Sequence, residues 1–308
     1  MKKKIAMIGA GVVAGSVLLM SSVYAGIGST PGYDTYKSAI KNTAAVENAT
    51  KQVNLSVEDN GKTLFEVDST LKSGKEDLTG SAAITLRSGG TEQGIQIYSQ
   101  NGKEIIKTSG SDVYRIVESG DEEREWAKES HDRKKLHDPE FAKEAEKVID
   151  SLVGNLKQAV TLKEEGAAKE VSLQLERSQI PAIVNAIGSL IVREGGREHG
   201  KEHQLDSEDT FGVDVQRLAD ALPKLTDEIK IDALRMDADV NADNVITNHA
   251  VEIRISGKDS QGIAHQVAVK LDLILSEFNR SIPDTVDLAG KKVETVKPHE
   301  MFNRGHRS

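Results

Sequence analysis

Two runs of alternating apolar residues near the C-terminal end constrain this chain more than any other feature. Val245, Thr247, His249, Val251, Ile253 and Ile255 alternate with polar neighbours. After Ser256-Gly257-Lys258-Asp259-Ser260-Gln261-Gly262, the residues Ile263, His265, Val267, Val269, Leu271, Leu273 and Leu275 do the same. A period of two sustained over that length specifies two long antiparallel strands with one buried face and one solvated face. Such strands need an apolar partner surface, and the remaining chain reads as its supplier. A turn centred near Asp259 would pair His265 with Ile253 and His249 with Val269, both histidines facing inward but well apart.

Upstream, Val53, Leu55 and Val57 lead into a turn at Asn60-Gly61, and Phe65, Val67 and Leu71 return. Leu78, Ala82, Ile84 and Leu86 alternate again, Ile95 and Ile97 follow, Asn101-Gly102 turns the chain, and Val113 to Val117 closes the run. Asn-Gly between alternating apolar residues is a strong hairpin signal, because both turn residues must take positive φ. The spacing predicts about six antiparallel strands between Val53 and Glu118.

Helical periodicity appears in three places. Asp34 is placed to cap a helix running to about Ala49, with Tyr33, Tyr36, Ile40 and Ala44 on one side. Asp138-Pro139 opens a second, whose Phe141, Ala145, Val148, Ile149, Leu152, Val153, Leu156 and Val160 form an apolar stripe. Val171, Leu173 and Leu175 form a strand, after which Ser178-Gln179-Ile180-Pro181 starts a third helix carrying Ile183, Val184, Ile187, Leu190 and Ile191. A short helix over Val215 to Leu222, a strand from Ile229 to Val240 and an edge-wrapping segment from Ile282 to Val296 complete the reading. Strands in runs with helices grouped on one face define an α+β domain.

The N-terminus carries its own signal. Met1-Lys2-Lys3-Lys4, an apolar run from Ile5 to Met20, and Val23-Tyr24-Ala25 have the layout of an export signal cut after Ala25. Ile5 to Met20 would rise about 24 Å as a helix, short of the roughly 30 Å hydrocarbon core. The expected organisation is therefore a signal peptide over 1–25, one domain over 26–296 and a tail over 297–308, in a secreted or cell-envelope protein. An uncut first segment is the route by which the chain would touch a membrane.

Composition removes several function classes. The 308 residues hold no cysteine, which excludes disulfides, thiolate metal sites, a cysteine nucleophile and acylation at a lipobox cysteine. Net charge is −9, so a nucleic-acid backbone would be repelled overall. Aromatic residues make up 4%, too few for a platform that stacks bases or sugars.

The element order from Tyr33 to about Val296 resembles the LolA-like carrier fold, and Gram-positive relatives of the LppX/LprG lipoproteins in particular. The residues carrying this resemblance are Val171-Ser172-Leu173-Gln174-Leu175 followed by Ser178-Gln179-Ile180-Pro181-Ala182-Ile183-Val184, and Gly262-Ile263-Ala264-His265 through Leu275-Ser276-Glu277-Phe278-Asn279. The resemblance implies a curled antiparallel half-barrel with helices packed on its concave face, holding acyl chains in the apolar space between them. The walls expected for a ligand held between sheet and helices are Ile183, Ile187, Leu190, Val251, Ile253, Val267, Val269 and Leu271.

His199 and His203 have the spacing of metal ligands on one helix face, yet Gly200 lies between them and Gly195-Gly196 just upstream, which favours a solvated loop. Asp237, Asp239, Asn241 and Asp243 alternate like the start of a calcium loop, but the twelfth position is Asn248 or Ala250 where a bidentate carboxylate is needed. A turn at Asn241 to Asn244 explains that spacing without a metal. No Gly-x-Ser-x-Gly elbow, phosphate-binding loop or dinucleotide fingerprint is present, and neither a catalytic residue nor a cofactor is expected. The expected function is an exported, non-enzymatic binding protein for a hydrophobic or amphipathic ligand. The competing expectation is an envelope interaction or sensor module with a filled core, contacting a partner through the charged stretch around Trp126 and the loop from Arg197 to Thr210.

Overall fold

The computed structural model describes residues 30–46, 48–74, 79–117, 154–182 and 221–296. Among them, helix α1 (Pro31–Ala44) precedes a six-strand meander: β1 (Thr50–Asp59), β2 (Lys62–Ser73), β3 (Gly80–Ser88), β4 (Thr91–Gln100), β5 (Lys103–Thr108) and β6 (Val113–Val117). Further along come β7 (Val160–Glu165), β8 (Ala168–Glu176), β9 (Asp227–Val240), β10 (Ile246–Lys258), β11 (Ala264–Ser276) and β12 (Lys292–Val296). All twelve strands form one sheet in the order β12-β6-β5-β4-β3-β2-β1-β11-β10-β9-β8-β7. Pairing is antiparallel except between β12 and β6, which run parallel.

The expected α+β class, a curled half-barrel with helices on its concave face, is therefore corrected. The sheet is large, open and mixed rather than curled, and among the described residues a single α-helix, α1, packs on it. Part of the reason lies at Val160. The apolar stripe that was read as helical through Val160 gives way to a 3-10 turn at Gly154–Ala159, and Val160 opens β7. Gly166 at φ 65° turns β7 into β8, whose register runs from Val160↔Leu173 to Glu165↔Ala168. A second strand thus extends the sheet where a helix end was expected. The helical stripe over 141–153 and the helix from 183 onward lie outside the described residues, as do the N-terminal signal and Trp126.

The turns follow their residue chemistry. Asn60-Gly61 and Asn101-Gly102 both take positive φ at both positions, as does Gly89-Gly90 between β3 and β4. The β10–β11 turn is centred two residues later than expected, on Gln261. Asp259 Oδ1 accepts the N–H groups of Gln261 (2.9 Å) and Ile263 (2.8 Å), and Gly262 sits at φ 80°. This Asx-type loop moves the register, so His249 pairs with Leu273 and His265 with Gly257, rather than with Val269 and Ile253. Because each partner shifts by an even number of residues, the side chains from His249 to Ile255 and from His265 to Leu275 keep their predicted faces. Ile246, expected to face outward, instead packs in the α1 cluster at a break in the β9–β10 register, and Ile263, expected inward, is exposed in the loop.

Helix α1 starts earlier than Asp34. Pro31 takes the first helical position, where its missing N–H costs nothing, and the Asp34 N–H bonds the Thr30 carbonyl at 2.9 Å. Its buried face is Gly32, Tyr36, Ala39 and Ile40, while Ala44 is exposed. That face packs on Val171, Met236, Ala238, Val240, Ile246 and Leu275. A second buried cluster joins Val57, Phe65 and Val267 to Leu225, which leads into β9.

On the opposite face, the chain after β11 runs as a strap to the far edge. The Asp284 carboxylate accepts from Lys72 (2.8 Å), and its backbone N–H donates to the Ser81 hydroxyl oxygen (2.9 Å). The Gln100 amide bonds both the N–H and C=O of Val286, at 2.9 and 2.8 Å. The strap delivers β12 to β6, with Lys292↔Val113 through Val296↔Val117 in register. Ile105 and Ile106, neighbours on β5 with side chains on opposite faces, are each only 2% exposed.

Gly32 marks the closest approach of α1 to the sheet, since a Cβ there would lie 2.5 Å from the Val160 carbonyl oxygen. Gly32→Ala is expected to lower stability by about 1–3 kcal/mol through overpacking against backbone that cannot move aside. Urea denaturation followed by circular dichroism measures this, and an unchanged midpoint would show that α1 does not sit on Val160.

Candidate functional site

The register stacks apolar side chains into straight rows across the sheet. One row runs Leu173, Met236, Val251, Leu271, Leu55, Val67 and Leu86, each paired with the next from β8 to β3. At a strand spacing of about 4.8 Å, its seven strands span about 29 Å. The next row runs Leu175, Leu234, Ile253, Val269, Val57 and Phe65. Val251, Ile253, Val269 and Leu271 are half-buried, and Val267 is buried. Val251 packs beside the α1 cluster, and Val269 beside the Leu225 cluster. Ile253 and Leu271 lie between, in neither cluster. Five of the eight expected wall residues thus share one face, while Ile183, Ile187 and Leu190 lie outside the described residues.

The reverse face is charged at the same register. Arg235, Glu252, Lys270, Ser56, Glu66, Arg87 and Glu92 form a row in which opposite charges face each other across most strand pairs. Lys270 bonds Glu58 at 2.7 Å and Arg254 bonds Glu252 at 2.7 Å around Ala268, leaving a shallow depression of about 190 Å³. These are half-exposed pairs that neutralise one another, and each is worth little in stability.

Two histidines bracket the apolar face. His249 on β10 is 2% exposed, and its Nε2 lies 2.8 Å from the Tyr36 hydroxyl of α1. Burial pushes its imidazole below the ordinary value, and the charge of Asp237 opposes this in part. Burial also raises the Tyr36 phenol, so both partners are neutral. His265 on β11 stands at the other end, beside the Leu225 cluster. Its Nδ1 meets Asp59 Oδ2 at 2.8 Å, and its Nε2 lies 3.6 Å from Asp259 Oδ2. The bond to Asp59 raises the His265 pKa first, and Asp259 adds to it. Backbone N–H bonds, led by that of Ile263, hold the Asp259 carboxyl below its usual range.

Asp59 and Asp259 were legible only as turn residues, and Tyr36 only as part of a helix face. The contacts of Tyr36 with His249 and of Asp59 with His265 join positions about two hundred residues apart, which no local periodicity reports. His199 and His203 lie outside the described residues. Asp237 and Asp239 point outward from β9, and Asn241 Oδ1 accepts the N–H groups of Asp243 and Val245, so a side-chain-capped turn accounts for that spacing. Among the described residues, no group of three or more acidic or histidine side chains is arranged to hold a metal ion. None of the described helices is long and apolar enough to cross a membrane.

No protein-family model matches this chain, and no curated protein matches it. Among solved structures, a bifunctional dehydratase-cyclase domain in ambruticin biosynthesis aligns over 86% of this chain and 89% of its own, at 12% identity and a TM-score of 0.14. A likeness that slight supports no statement about fold or function.

The His265 environment makes a signed prediction. Its folded pKa is raised, so its stabilising contribution is complete below the unfolded value of about 6.5 and is lost as pH rises through the folded value. Urea midpoints measured from pH 6.5 to 9 are expected to fall over that window in the wild type. Asp59→Asn, which removes the closer carboxylate, should flatten the fall. An equal pH dependence in the variant would assign it to another group.

Proposed function

We propose that this chain is an exported, non-enzymatic binding protein that holds a hydrophobic or amphipathic, lipid-like ligand against the apolar face of its sheet. One observation carries the reading. The row through Val251, Leu271, Leu55 and Val67 is continuous across the join between the two halves of the sheet, and Leu271 in it, with Ile253 in the next row, belongs to neither buried cluster. Long apolar side chains left half-buried between two packed clusters gain free energy when an apolar molecule covers them, at roughly 25 cal/mol per Å² removed from water. A ligand site is mostly apolar with a few polar groups at its margins. The His249–Tyr36 and His265–Asp59 pairs stand at such margins. The signal-like layout of residues 1–25 supports a protein working outside the cytoplasm, in a secreted or envelope-associated form.

Native mass spectrometry of the mature chain from a secreting host, with lipid extraction, tests the reading. A stoichiometric acyl-chain adduct is expected. Leu271→Trp is expected to abolish saturable uptake of a hydrophobic dye while costing roughly 1–3 kcal/mol in stability. A clean apo mass with no uptake of added lipid would overturn the reading in favour of an interaction module with a filled core. Full uptake by a folded Leu271→Trp protein would move the ligand to another surface.

A further inference from the structure

The apolar row on the other side of Val251 runs Val171, Ala238, His249, Leu273 and Val53, with an imidazole at its centre. Ring centroids of His249 and Tyr36 are 5.7 Å apart at an interplanar angle of 26°, so the pair is stacked as well as bonded. Among the described residues, the side chains flanking His249 on the paired strands, Ala238 and Leu273, are apolar. The ionisable groups bearing on it are Tyr36 from α1 and Asp237 from β9, whose own side chain is exposed on the opposite face.

Three further hydrogen bonds lie toward the C-terminal end of α1. Thr43 Oγ1 accepts the Ile246 N–H (2.9 Å), Asn42 Nδ2 donates to the Asn244 carbonyl (3.2 Å), and Asn244 Nδ2 donates to the Ser38 hydroxyl (2.8 Å). These bonds tie the C-terminal half of α1 to the β9–β10 turn. The N-terminal half is held by Tyr36 among other contacts, which include that of Gly32 with Val160 and Lys157 over the Tyr33 ring at 5.1 Å.

We propose that protonation of His249 lifts α1 from the sheet about its anchored C-terminal half and opens the α1-covered end of the apolar face, so that mild acid controls access to it. With the proton on Nδ1, the neutral ring accepts the Tyr36 hydroxyl at Nε2. Once both nitrogens carry protons, Nε2 can only donate, so the Tyr36 hydroxyl must reverse its role. The new cation would also sit among aliphatic side chains, where a charge without a close counter-ion is costly. Releasing α1 returns the imidazolium to water. The ordinary imidazole value of about 6.5 therefore belongs to the released state and the depressed value to the docked state. Docking is unaffected above about pH 6.5, weakens by about tenfold per pH unit below it, and levels off at the docked-state value. The consequence for a ligand rests on the binding reading above; the helix motion does not.

Hydrogen exchange of the full mature chain at pH 7.5, 6.5 and 5.5, corrected for intrinsic rates, tests the proposal. Protection of the α1 amides is expected to fall with pH while that of β1 and β11 holds, and His249→Gln is expected to abolish the pH dependence. Undiminished α1 protection in acid, or the same fall in His249→Gln, overturns it. Should that variant not fold, the wild type decides. The NMR titration midpoint of the His249 ring must coincide with the midpoint of α1 deprotection, and a mismatch overturns the proposal. Dye uptake at pH 7.5, measured in parallel, separates the two readings. An α1 transition without uptake removes the binding function alone, and uptake without an α1 transition removes the switch alone.

Discussion

The pairing of β1 with β11 is the constraint on which the rest depends. It runs without interruption from Thr50↔Ser276 to Asp59↔Val267, and it joins a meander of β1 to β6 with a second one of β7 to β11. Without it each half would expose a long strand edge of unpaired N–H and C=O groups, a template for association with other chains. With it, the apolar rows become continuous across the join. The strap after β11 reinforces the same closure. Thr50 Oγ1 bonds Glu277 (2.6 Å) and lies 2.9 Å from the Ser281 hydroxyl, and the Asn279 N–H bonds the Asn48 carbonyl at 2.8 Å. The end of the last long strand is thereby fixed to the start of the first before the chain crosses to the far edge.

Register then does the sorting. A shift of one residue in any strand would move its apolar set to the charged face. The alternating ladder through Arg235, Glu252, Lys270, Glu66 and Arg87 opposes such a slip, because a displaced strand would set charges against aliphatic neighbours. Individually these exposed pairs add little stability. Their collective effect is on which alignment is allowed, and so on whether the rows through Val251 and Leu271 exist at all.

How much of this was legible follows from the range of each interaction. Period-two alternation named the faces from His249 to Ile255 and from His265 to Leu275, and it survived a register error, because a loop centred two residues later than expected displaced partners by an even number of residues. It failed at Ile246, which a break in the β9–β10 register turns inward beneath α1. Asn60-Gly61 and Asn101-Gly102 gave two turns outright, since their left-handed backbones are a local requirement. β7 was missed because Val160 and Leu156 fit a helical stripe as well as the end of one strand, and Lys163-Glu164-Glu165 gives an edge strand no apolar period. β12 pairs in parallel with a strand some 180 residues earlier, a contact with no signature in either segment. The same holds for the candidate site. Its apolar residues were readable from β10 and β11, but the partners of its histidines, Tyr36 and Asp59, come from elements more than two hundred residues away.

Those partners give two histidines on one face opposite responses to a proton. His265 lies between Asp59 and Asp259, so a positive ring is the favoured state, and the β1–β2 and β10–β11 turns hold together best when it is charged. His249 lies beneath α1, where the neutral ring is favoured. The sequence distinguishes them in no way; both are inward residues of adjacent strands. The difference comes from what the fold lays over each, carboxylates from turns at one end and an aromatic helix face at the other. Acid therefore tightens the turn end of the sheet while loosening the helix end, and alkali does the reverse. A pH response of this kind is polar along the strands: it can open one end of the apolar face without dissolving the sheet that forms it.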